Sequence, residues 1–118
     1  MTVETIREIA MKLPHATEDV KWGADLCFCV EKKMFCVTGL HDGPVSLSFK
    51  APDDDFEVLC ERPGFIPAPY MARHKWILIE DVKKVSKKDL EKFIRGSYEQ
   101  VKARLPKKTQ EKLGKLKN

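Results

Sequence analysis

Val45-Ser46-Leu47-Ser48-Phe49-Lys50 decides how the chain is read. Three apolar side chains alternate with three polar ones, the period of a strand that buries one face and wets the other. A one-sided strand belongs to an antiparallel sheet, because parallel strands are covered on both faces. The upstream neighbours agree. Asp25 to Val30 puts Leu26, Phe28 and Val30 on one face and Cys27 and Cys29 on the other, and Met34 to Gly39 follows a tip at Lys32-Lys33. His41-Asp42-Gly43-Pro44 is a second turn signal, and Thr17 to Gly23 reads as a short polar edge strand closed by Gly23. The centre of the chain is an antiparallel meander.

Helices flank it. Val3, Ile6, Ile9, Ala10 and Leu13 fall on one helical face, with Thr2 as the cap and Pro14 as the stop. Pro52-Asp53-Asp54-Asp55 opens a second helix, with carboxylates where the helix dipole favours them. Phe56, Leu59 and Cys60 face the core before Arg62-Pro63-Gly64 ends that helix. A connection holding Pro63, Pro67 and Pro69 follows, expected to exclude regular structure, and leads into the apolar strand Trp76-Ile77-Leu78-Ile79. Ser86 and Asp89 form a capping-box-like pair for a third helix, with Val85 and Leu90 as its staple and Leu90, Phe93, Ile94, Tyr98, Val101 and Leu105 as its inner face. The order helix, meander, helix, strand, helix predicts an α+β two-layer sandwich with the helices on one face of an antiparallel sheet. Residues 1–106 form one domain, and 107–118 a lysine-rich tail with one weak helix.

Composition fits this reading. The 118 residues are 42% hydrophobic and 34% charged, enough for one core without metal or disulfide staples. No apolar run approaches the roughly 20 residues of a membrane span, and the first residues lack the basic start and apolar core of a secretory signal. A cytoplasmic location is expected. The net charge of +4 is unevenly distributed: Lys83 to Asn118 carries 13 Lys/Arg against 4 Asp/Glu. Such a balance suits an anionic partner, or simply a solvated helix.

The Lys33-Met34-Phe35 hairpin, Leu47-Ser48-Phe49-Lys50, Pro63-Gly64-Phe65-Ile66-Pro67, Tyr70-Met71, His74-Lys75-Trp76 and the closing Ser97-Tyr98-Glu99-Gln100-Val101 with Leu105-Pro106 together resemble the MmcQ/YjbR family. The resemblance runs from the first helix to Pro106. It implies a small bacterial domain of frataxin (CyaY)-like topology, of a kind described as a double-wing DNA-binding domain, and it brings no catalytic residues. The chain departs from the family pattern at Glu31-Lys32, where members often carry a glycine beside Lys-Met-Phe.

Candidate DNA contacts are Lys32 and Lys33 at the hairpin tip, Lys50 at a strand end, and Arg73, His74 and Lys75. Such cations reach phosphates and give affinity with little base readout. Tyr70 is placed for stacking on bases, and Trp76 for core packing. An alternative is a protein-interaction surface on an apolar patch at Phe65, Ile66, Pro67, Tyr70 and Met71. A third reading is a small-molecule enzyme site at His74 and Tyr70. No catalytic motif is present, and no cofactor is expected. Glu4, Glu8, Glu18 and Asp19 are too sparse for a metal ridge. With a turn at Lys32-Lys33, Cys29 would lie opposite Cys36 and share a face with Cys27, a set read as inert packing. The expected state is a monomer or weak dimer.

Overall fold

Thr2 starts the fold. Its hydroxyl accepts from the Thr5 amide and its own amide donates to the Thr5 hydroxyl, closing a reciprocal cap on α1 (Val3–Met11). The computed structural model describes residues 2–40, 42–69 and 71–116, with backbone alone from 114. After α1 come β1 (Ala16–Lys21), β2 (Asp25–Val30), β3 (Lys33–Gly39) and β4 (Leu47–Lys50). Then follow α2 (Phe56–Leu59), β5 (Phe65–Pro67), β6 (Trp76–Ile79), α3 (Lys87–Ala103) and α4 (Lys107–Leu116). The strands make one antiparallel sheet in the order β1-β2-β3-β4-β6-β5. With α1 and α3 packed on one face, the chain is the expected α+β two-layer sandwich.

The core lies between those layers. Ile6 and Ala10 of α1 and Leu90, Ile94 and Tyr98 of α3 meet Phe28, Val30, Leu47, Phe49, Ile77 and Ile79 of the sheet. Each such large apolar side chain contributes about 1.5–3 kcal/mol on burial. Phe49 stacks on Phe93 at 4.9 Å between ring centroids, and Phe35 meets Tyr98 edge-on at 5.3 Å. At the start of α3 the Ser86 hydroxyl accepts from the Asp89 amide, as the sequence pattern requires.

Five details differ from the sequence reading. The hairpin tip is Glu31-Lys32 rather than Lys32-Lys33: their φ values are 48° and 66°, and Val30 pairs with Lys33. Two left-handed residues give a turn whose twist matches the strands. A bulge then shifts the register between Phe28 and Cys29, so Cys29 lies opposite Met34 and Cys36 opposite Phe28. A one-residue slip exchanges faces. Cys36 therefore joins Phe35 in the core, while Cys27 and Cys29 face away from the helices.

The proline-rich connection does contain regular structure. Phe65, Ile66 and Pro67 pair with Ile79, Leu78 and Ile77. Pro67 is tolerated because β5 is the sheet edge, where a missing N–H breaks no ladder. The second helix is shorter than its acidic start suggested, since Asp53 to Asp55 form turns and only Phe56–Leu59 is helical. Finally, α4 docks on the body. Leu113 is buried in the core, and the His15 ring Nε2 lies 3.1 Å from its carbonyl oxygen.

Candidate binding trough

The sequence candidates come together around the end of the sheet where β3 begins and β4 ends. Lys32 and Lys33 are exposed at the β2–β3 tip. Arg73 and His74 are exposed on one turn of 3-10 helix, Ala72–His74, just before β6. Lys33 and His74 line the same open trough, of about 590 Å³, with Met34, Met71, Trp76 and Arg104. Thus the hairpin tip and the 72–75 turn form two walls of one surface. Among the described residues the ion pairs are Arg7 with Glu4 and Glu18, and Arg62 with Asp89; none of them neutralises a cation of this trough.

Lys50 is placed otherwise than expected. Strand parity predicted an exposed ammonium, yet the residue is 4% exposed and its Nζ donates to the His74 carbonyl at 2.7 Å. It sits opposite Trp76 in the β4–β6 ladder, where the neighbouring 3-10 turn covers it. Burial pulls its pKa below the ordinary value; the Arg104 charge acts in the same direction, as does Lys75, while Asp53 opposes them. Lys50 lines the trough floor instead of reaching outward.

Lys75 takes the left-handed conformation, φ 65°, at the end of the 3-10 turn, and its ammonium lies 5.1 Å from the centre of the Phe56 ring. It faces α2 more than the trough. Tyr70 lies outside the described residues, and with it that half of the proposed enzyme site. Trp76 is buried as expected, but on the trough side of the sheet and not in the main cluster. The apolar patch expected at 65–71 is reduced. Phe65 is buried against Phe93, with the Arg62 guanidinium 4.4 Å from its ring centre, leaving Ile66 and Pro67 exposed.

Sequence reasoning missed Arg104, Met34, Trp22 and the apolar half of the trough. This second half, also about 590 Å³, runs over Val37 and Ser48 towards Asp25 and Trp22, with Ala68, Pro69 and Met71 along its side. A tryptophan in an otherwise polar stretch beside Gly23 was the available signal; Arg104 looked like any basic residue at a helix end.

Comparisons place this geometry among known proteins. The crystal structure of Deinococcus radiodurans protein DR2400, a DUF419 domain, superimposes with a TM-score of 0.87 at 25% identity, covering 96% of this chain and 88% of that one. No curated protein matches. No helix among the described residues is long and apolar enough to cross a membrane. The YjbR family model matches residues 11–100, which include the whole sheet and most of α3, and leaves out Val101, Arg104, Leu105 and Pro106 of the trough. The chain belongs to the YjbR family.

Proposed function

We propose that this chain is a cytoplasmic, non-catalytic DNA-binding domain that contacts phosphates from the two walls of the trough. The observation that carries the reading is the convergence of Lys33, His74 and Arg104 on one opening, with Lys32 and Arg73 beside them and no described carboxylate paired to any. Unneutralised cations on opposed walls attract a polyanion and make its binding salt-dependent. The contacts are to backbone, because the basic residues of α3 are spread over its outer surface and mark no recognition helix; sequence readout is not part of the proposal. Lys50 is too recessed to take part.

The test is fluorescence anisotropy of labelled single-stranded and duplex DNA against salt. Four phosphate contacts give a slope of log Kobs on log salt near −3.6 for duplex and about −2.8 for single strands. Lys33→Glu with Arg73→Glu should abolish binding, while Lys83→Glu with Lys84→Glu, exposed beyond the other end of β6, should retain most of it. Absence of binding at about 50 mM salt would overturn the reading.

A further inference from the structure

The two halves of the trough share Met34 and Met71: the far half lies on the sheet face away from the helices, and the near half wraps the sheet end to reach Val101, Arg104, Leu105 and Pro106 at the end of α3. Strand geometry sets their reach: Lys50 and Asp25 lie two strands and four residue levels apart, roughly 16 Å. The far half has Val37 on its floor and Trp22 at its end. Trp22 is 72% exposed and held at φ 52°, a left-handed conformation that is uncommon for a bulky side chain. The backbone follows from the β1–β2 turn, where Trp22 and Gly23 are both left-handed; core packing does not account for the solvated indole it carries.

The near end has charge of one sign. The Lys50 ammonium carries three donors and makes one hydrogen bond, to the His74 carbonyl. Among the described residues no carboxylate lies within 4.0 Å of it, and Arg104, Lys33 and His74 stand around the same opening. A buried cation is costly, and burial with the Arg104 and Lys75 charges lowers its pKa, an effect that Asp53, beyond 4.0 Å, only partly offsets. An entering anion relieves it. At the far end, Asp25 lines the trough and disfavours a second negative charge there.

We propose that the trough is a small-molecule site for a soluble acyl monocarboxylate, with its head at Lys50 and Arg104 and its chain along Met34, Met71 and Val37. The charge order fits one anionic end and one neutral, apolar body. Each half falls within the roughly 300–1,000 Å³ of ligand sites. The proposal shares Arg104 and the trough opening with the DNA reading but does not rest on it: a recessed ammonium is out of reach of a duplex backbone but open to a single carboxylate.

The test is titration of the full chain with decanoate, followed by tryptophan emission and calorimetry. Saturable one-to-one binding is expected, with butyrate weaker by more than about tenfold because it buries less chain. Decyltrimethylammonium should not compete. Lys50→Met and Arg104→Ala should each weaken decanoate about tenfold, whereas Lys83→Met should not. Arg104 is exposed, so its variant keeps the test valid if Lys50→Met does not fold. Equal binding of the cationic surfactant, unchanged affinity in Arg104→Ala, or no saturable decanoate binding would overturn the proposal.

Discussion

The Ser97 hydroxyl donates to the carbonyl of Phe35, joining the middle of α3 to the bulged residue of β3. The same oxygen accepts the Lys50 amide at 2.9 Å. The β3–β4 ladder pairs Cys36 with Phe49 and Val37 with Ser48. At the next step, where Phe35 and Lys50 would meet, the bulge has moved the strand and a serine side chain completes the bonding. Ser97 is fully buried, so no water can replace it without rearrangement.

Ser97→Ala should therefore strand a buried donor and a buried acceptor. The expected loss of unfolding free energy is about 2–4 kcal/mol, measured by urea denaturation. A loss below about 0.5 kcal/mol would mean that the strands close directly.

Tyr98 makes a second long-range tie, its hydroxyl donating to the Pro14 carbonyl at 2.6 Å while its ring meets Phe35. Tyr98→Phe keeps the ring and removes the bond. Thermal denaturation should register a loss of about 1 kcal/mol, and an unchanged midpoint would show that water serves Pro14 equally well.

The β2–β3 turn carries left-handed strain at Glu31 and Lys32. Asn at 31 and Gly at 32 suit such a turn, so the double substitution Glu31→Asn, Lys32→Gly should stabilise the domain by about 1–2 kcal/mol. Destabilisation in the same urea assay would argue that the turn adopts another form in solution.

Burial pushes the Cys27 thiol from 9.0 up to about 11, with the neighbouring Cys29 adding to the shift. Cys36 moves the same way, again chiefly through burial. Unfolded thiols ionise at lower pH than these folded ones, so the unfolded chain loses its protons first. Stability is fully present below pH 9.0 and falls as pH rises towards about 11. Urea midpoints across this window should decline, and less steeply in Cys27→Ala; a flat profile would contradict the burial. Native Cys27, Cys29 and Cys36 should also react with a thiol reagent more slowly than half-buried Cys60.

Local pattern was enough to set most elements, β5 and the short α2 being the exceptions. Alternation at 45–50, helical spacing from Leu90 to Leu105, and the capping pairs at Thr2 and Ser86 all describe neighbours along one chain segment, and each segment folded accordingly. The family signature lay partly in these segments and partly in Lys33-Met34-Phe35 and the stretch from Pro63 to Trp76. Lys50 marks where this kind of reading stops. Its parity is that of a wet strand face, but the 72–75 turn, distant in sequence, closes over it and supplies the carbonyl it bonds. The β2–β3 bulge is another case, since the extra residue is visible only when two strands are paired, and it decides which thiols face the core. The trough itself draws Lys33, His74 and Arg104 from three separate elements. Periodicity fixes which way a side chain points from its own strand or helix; what covers it, and which charges it meets there, is set by packing between elements far apart along the chain.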